Sequence, residues 1–183
     1  MRKLTHAEIA GKRLTPAEIG SIRRFPLTVL LDNVRSLYNV GSIFRSADGA
    51  RVGELILTGY TPTPPRREIE KTALGSTSTV PWRYEADPVA AALSLKRSGV
   101  RICVVEHTDC SRPYHALGPA DLPICLVIGN EITGVAKNLI EAADMAVEIP
   151  MYGMKQSLNA AVAFGIVVFA CARIAGEAVG TGE

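Results

Sequence analysis

The sequence of 183 residues predicts an α/β fold, a parallel sheet flanked by helices on both faces. Two observations carry that expectation. Short apolar runs rich in β-branched residues alternate with stretches of helical pattern, and most of the runs are nearly continuous in apolar character. Continuous runs mark strands covered on both sides, as in a parallel sheet. The composition, 48% hydrophobic and 21% charged, is that of an ordinary packed domain, and the length suffices for a sizeable core.

The chain opens on a near-repeat, LTHAEIAGKR and LTPAEIGSIR. Each copy holds a T-x-x-E capping box, Thr5 with Glu8 and Thr15 with Glu18, able to start a short helix. Residues 1–24 therefore read as a helical arm, basic through Arg2, Lys3, Lys12, Arg13, Arg23 and Arg24, ahead of one domain over residues 25–183. Strands are expected at 27–31, 54–58, 80–84, 101–106, 124–128 and 146–149. Helices are expected at 40–49, 88–98 and 135–143, and the longest at 157–174. No apolar run reaches the roughly 18 residues of a membrane span, and 160–172 reads as a buried helix. The N-terminus has no apolar signal core. The expectation is a cytoplasmic protein with no membrane partner.

The net charge is only +2, so a nucleic-acid role cannot rest on bulk charge. The basic residues are nevertheless concentrated, in the arm and at Arg66, Arg67 and Lys71 beside a proline-rich loop. The four cysteines, Cys103, Cys110, Cys125 and Cys171, form no C-x-x-C pair and read as small core residues.

Ligands of open parallel sheets bind at the carboxyl ends of the strands, so the loops there are the informative ones. In LYNVGSIFRSADGA, Asn39 can cap a helix, Gly41 permits close backbone approach, and Arg45 offers a fork suited to phosphate. A cation on the first turns of a helix is disfavoured by the helix dipole, which makes Arg45 conspicuous. In CLVIGNEITGVA, Gly129 and Gly134 bracket Glu131. The pattern is neither G-x-G-x-x-G nor a P-loop, which disfavours a dehydrogenase or an NTPase. It is either a tight turn lining a neutral or cationic ligand or an exposed strand-to-helix turn. In IPMYGMKQSLNAAVAFG, Pro150 ends a strand, Gly153 allows a bend, and Ser157 and Asn159 stand at the start of the last helix. Buried beside so much apolar surface, those two would need hydrogen-bond partners. The cluster EHTDCSRPYH, with His107, Asp109, Cys110 and His115, matches no standard zinc spacing and reads as a polar loop, so no metal is expected.

In order and spacing these three loops closely resemble the SpoU/TrmH family of the SPOUT RNA methyltransferases. The family's N-x-G-x-x-x-R falls on Asn39, Gly41 and Arg45, and its G-x-E-x-x-G turn on Gly129, Glu131 and Gly134. Its I-P-M-x-G-x-x-x-S-L-N falls on Ile149, Pro150, Met151, Gly153, Ser157, Leu158 and Asn159. The likeness spans residues 27–174. It implies a SPOUT-type α/β knot with a C-terminal trefoil knot, although chains ordinarily avoid knots. It implies S-adenosylmethionine as cofactor, contacted by Gly129, Glu131, Ile149, Met151 and Leu158, with S-adenosylhomocysteine as product. It further implies a homodimer that binds tRNA or rRNA across its interface and methylates a ribose 2′-hydroxyl. The catalytic set by this likeness is Arg45, Asn39, Glu131, Ser157 and Asn159, and Arg23, Arg24, Arg66, Arg67 and Lys71 are the expected RNA contacts. Arg45 would meet a phosphate or the developing 2′-alkoxide. A guanidinium, with a pKa above ~12, stays protonated in proteins, so two roles stand: a base after phosphate-assisted deprotonation, or a cation stabilising the alkoxide. The rival readings are a non-catalytic RNA-binding or assembly factor that keeps the fold, and a SPOUT base methyltransferase. The intact Arg45 and Ser157–Asn159 set favours ribose methylation over both.

Overall fold

The computed structural model describes residues 1–11, 14–178 and 180; Lys12 and Arg13, expected in the basic arm, lie outside the described residues. Seven strands form one sheet: β1 (Leu27–Asp32), β2 (Glu54–Thr58), β3 (Trp82–Glu85), β4 (Arg101–Val105), β5 (Arg112–Pro113), β6 (Ile124–Ile128) and β7 (Met145–Glu148). Their order is β3-β2-β1-β6-β4-β7-β5 and every neighbouring pair is parallel. Parallel neighbours need crossover connections. The helices are α1 (His6–Ala10), α2 (Pro16–Ser21), α3 (Leu37–Gly49), α4 (Arg67–Ala73), α5 (Pro88–Arg97), α6 (Lys137–Ala142) and α7 (Ala160–Ala178).

The sheet is covered on both faces, which is why its strands read as unbroken apolar runs. Val29, Leu31, Leu126 and Ile128 pack with Val40 and Phe44 of α3 and with Phe164 and Val167 of α7. The alternate residues Leu30, Ile102, Cys125 and Val127 pack with Ala91 and Ala92 of α5 and Leu139 of α6. All five residues of β6 are buried. Burial pushes the Cys103 and Cys171 thiols up to about 12 and raises the Cys125 thiol as well. Those three are core residues as expected, whereas Cys110 is exposed.

Several elements depart from expectation. Helix α3 starts at Leu37, not residue 40, because the Ser36 hydroxyl rather than the Asn39 side chain caps it, accepting from the Asn39 N–H at 3.3 Å. Arg45 is therefore the ninth of thirteen helical residues. The dipole acts within the first and last turns, so it does not oppose this arginine. Helix α4 lies where no helix is expected; only Ile69 and Ala73 are buried, too short a pattern to announce one. The two-residue strand β5 likewise leaves no periodic signal.

Helix α7 starts at Ala160, three residues later than expected, and runs 19 residues. By length and composition alone it would suffice to cross a membrane. Here Phe164, Val167, Val168, Cys171, Ile174 and Ala175 are buried against the sheet.

Gly41 sets the spacing of α3 and α4. A Cβ there would lie 2.3 Å from the Ile69 carbonyl oxygen and 2.1 Å from the Thr72 hydroxyl, so only glycine lets the two helices meet this closely. The Thr72 hydroxyl donates to the Tyr38 carbonyl at 3.1 Å and fastens the same junction.

Candidate active site

The turn after β6 is tight because it is built on glycine. A Cβ on Gly129 would stand 2.3 Å from Gly134 C and Val135 N. Asn130 and Gly134 exchange two backbone hydrogen bonds of 3.0 Å, and the Asn130 side-chain oxygen accepts from the Ile132 and Thr133 N–H groups. Gly134 adopts φ +70°, and its missing side chain leaves room for the Glu106 carboxylate, which accepts from the Val135 N–H at 3.0 Å.

That turn aims Glu131 at the start of α3. Its carboxylate accepts from the Arg35 N–H at 2.9 Å, the Ser36 N–H at 3.0 Å and the Asn39 amide at 2.9 Å. Arg35 and Ser36 immediately precede α3, so a carboxylate from a loop more than ninety residues away fixes the chain where it enters the helix. Burial alone would raise the Glu131 pKa; the N–H groups of Arg35 and Ser36 and the Asn39 amide outweigh it and hold the carboxyl below the usual range. The Asn39 side-chain oxygen accepts in turn from the Asn159 amide at 3.1 Å. The Asn159 oxygen accepts from Ala161 N–H at 2.9 Å and so caps α7. One chain of hydrogen bonds, Glu131–Asn39–Asn159, thus ties the three loops together.

Beside it opens a cleft of about 660 Å³, within the size range of small-molecule sites. Gly129, Glu131, Ile149, Met151 and Leu158, the five expected cofactor residues, all line it, as do Ser157 and Asn159. Ile128, Val135 and Ile140 add apolar wall. Three carboxylates line the cleft, Glu106, Glu131 and Glu148, with no lysine or arginine among the described residues. Serine and histidine groups steady the third: Glu148 accepts from the Ser111 hydroxyl at 2.5 Å and lies 3.3 Å from His107 Nδ1, and these contacts hold its carboxyl below the usual range. Such a lining disfavours a phosphate-bearing ligand and suits a cationic one.

The other expected residues lie as follows. Ser157 is exposed and makes no hydrogen bond among the described residues, contrary to the burial expected of it; it sits in the irregular loop before α7. Asn159 is exposed as a whole, yet both ends of its amide are engaged. Arg45 is exposed on α3, outside the cleft lining, and pairs with nothing among the described residues. Arg23, Arg66, Arg67 and Lys71 are exposed. Arg24 differs: its guanidinium donates to the Val52 carbonyl at 3.1 Å and to the Thr79 carbonyl, so it fastens the arm to the domain.

Glu106, His107 and Glu148 were not foreseen as site residues. Glu106 and Glu148 each follow or end an apolar strand run, the one local signal that could have found them. His107 bridges Glu148 and the Gln156 carbonyl, at 3.3 and 3.1 Å. No group of three His, Cys, Asp or Glu side chains among the described residues is arranged to hold a metal.

Residues 26–169 match the SpoU rRNA methylase family. A curated relative, the tRNA (guanosine(18)-2′-O)-methyltransferase of Aquifex aeolicus, is 34% identical over 157 residues, covering 85% of this chain and 73% of the relative. The crystal structure of the A. aeolicus TrmH/SpoU tRNA modifying enzyme superposes with a TM-score of 0.76 at 32% identity, over 86% of this chain and 79% of that one. The SpoU methyltransferase AviRb of Streptomyces viridochromogenes, solved with the cofactor AdoMet, gives 0.73 at 29% identity, over 83% and 61%.

Proposed function

The chain belongs to the SpoU rRNA methylase family, and from that membership we infer that it transfers a methyl group from S-adenosylmethionine to a ribose 2′-hydroxyl of tRNA or rRNA. The observation that carries the reading is the cleft in which all five expected cofactor residues meet, lined by three carboxylates and, among the described residues, by no lysine or arginine. S-adenosylmethionine is cationic at sulfur and at its ammonium, and the residues present fit it: apolar walls at Ile149, Met151 and Leu158 for a flat base, and carboxylates for charge. When bound, it supplies a methyl group on a sulfonium, already a strong leaving group.

The chain's own task is then to place a poor nucleophile and manage its proton. Glu131, tied to Asn39, holds the start of α3, and Asn39 holds Asn159. Arg45 projects from that fixed helix as a cation unpaired among the described residues, available either to the incoming phosphate or to the developing 2′-alkoxide. We propose the cytoplasm as its location, on the reading that tRNA or rRNA is the substrate.

Calorimetry on chelator-treated protein is expected to show one cofactor site per chain, and single-turnover assays to show 2′-O-methyl in RNA. No heat at millimolar cofactor, or no transfer, overturns the reading. In the same assays a chain lacking residues 1–22, which spares Arg23 and Arg24, is expected to bind RNA more weakly and with a shallower salt dependence, because phosphate contacts release counterions. Cofactor affinity stays unchanged; unfolding on truncation would make the arm structural instead.

The protein is also proposed to work as a homodimer. Val162 and Phe169 share one face of α7, opposite its six buried residues, and are each 51% exposed. That apolar face is what a second copy would cover. Light scattering should give about twice the 19.5 kDa chain mass, and Phe169→Glu should shift it to the monomer. A monomeric wild type would sink the proposal.

A further inference from the structure

A second groove, of about 740 Å³, lies at the β3 edge of the sheet, lined from the loops after β1 and β2, from Arg66 and from β3 itself. Its chemistry is the reverse of the cofactor cleft. Arg35 and Arg66 line it and no carboxylate does. Neither guanidinium has a partner among the described residues, whereas those of Arg83, Arg101 and Arg112 are all paired with carboxylates. Three aromatic side chains share the groove: Tyr60, 61% exposed, Tyr84, 48% exposed, and Trp82, half-buried with its ring edge-on to Phe44.

These aromatics are held in place. The Tyr84 hydroxyl donates to the Gly59 carbonyl at 2.8 Å, and the Tyr60 N–H donates to the Asn33 side chain at 3.1 Å. The Tyr60 hydroxyl accepts from the Asn130 amide at 3.0 Å, the same Asn130 that shapes the cofactor turn. Arg35 also belongs to both places, its N–H bound to Glu131 and its side chain in the groove. The groove and the cofactor cleft therefore lie on either side of one shared loop.

Exposed aromatic rings beside unpaired guanidinia match unpaired nucleotides: every base offers a face for stacking, and the planar fork of arginine suits phosphate. Duplex RNA keeps its base faces stacked and would engage only the arginines. Resting on the methyltransferase reading above, we propose that this groove seats an unpaired nucleotide of the RNA substrate, its base against Tyr60 or Tyr84 and an adjoining phosphate between Arg35 and Arg66.

Trp82 is the chain's sole tryptophan and lines the groove, so its fluorescence reports occupancy. A twelve-nucleotide unstructured oligoribonucleotide is expected to quench it, and the same strand in a duplex to quench it much less. Tyr84→Leu combined with Arg66→Gln should raise the KM for unfractionated tRNA and rRNA by about tenfold, the scale of losing a stacked base. Cofactor affinity by calorimetry should match wild type, which also certifies the fold of the variant. Arg97→Gln, a charge-matched change on the exposed face of α5, should leave KM unaltered. The groove is overturned if wild type methylates RNA with Trp82 unquenched, if duplex and single strand quench alike, or if the double variant keeps its KM. A wild type that is quenched by the oligonucleotide yet transfers no methyl group would sink the methyltransferase reading and leave the groove standing.

Discussion

Arg45→Ala is expected to lower single-turnover methyl transfer by about 100-fold or more, the scale of losing a group that acts on transition-state charge. Its melting temperature and cofactor affinity should stay close to wild type. The separation follows from placement. Arg45 is exposed, unpaired among the described residues and absent from the lining of the cleft proposed for the cofactor. The buried side of α3, with Val40, Ile43, Phe44 and Ala47, is untouched by the change, and surface substitutions of this kind cost within about 0.5 kcal/mol. Arg45→Lys should not restore the rate, because a point charge cannot replace a planar fork. Near-normal turnover by Arg45→Ala would reduce Arg45 to a surface residue.

Glu131→Ala should act in the opposite way, on architecture first. It removes the acceptor of the Arg35 and Ser36 N–H groups and of the Asn39 amide. Hydrogen bonds to a charged acceptor are the stronger kind, but this site is partly open and water can replace some of them, so a loss of about 2 kcal/mol is expected. Cofactor affinity and turnover should fall together, since Asn39 and Asn159 lose their fixed positions. The effect should depend on pH with a definite sign. The folded-state pKa of Glu131 is depressed below its ordinary 4.5, so its contribution to stability is fully present above that value and is lost as pH falls through the depressed one. Urea unfolding of wild type and variant at pH 7 and pH 3 should show the gap narrowing in acid. A gap of constant size would mean that the carboxylate is not what holds the helix.

Much of the sheet was legible in the sequence because burial on both faces removes the polar alternation that otherwise confuses strands with other patterns. β2 and β6 lie where the apolar runs at 54–58 and 124–128 placed them. The glycine turn at 129–134 was legible too, but not the target of its carboxylate. The partner N–H groups of Glu131 are 95 and 96 positions away, and no local pattern records a contact at that range. The role of Asn39 was misread for a related reason. A polar residue three places into a helix looks like a cap from sequence alone, while the serine before it did the capping and left the amide free to bridge two loops. Ser157 illustrates the reverse error: nearness to an apolar helix suggested burial, yet the helix begins three residues later and the serine stays in solvent.

Gly41 shows how a signature can mix unlike kinds of constraint. Of the three positions in its motif, one is an acceptor and donor between loops, one faces solvent as a free cation, and Gly41 contributes only the absence of a side chain. Yet α4, which it admits, follows directly on Arg66 and carries Arg67 and Lys71. A larger residue at 41 would force α4 outward by more than an ångström and carry that basic group with it. In an activity screen such a variant would score like a lost catalytic group while its chemistry remained whole. Compensation would need a smaller side chain at Thr72 together with a shift of the Ile69 backbone, whose carbonyl no substitution at 69 removes, so a library that varies single positions would record a false essential residue.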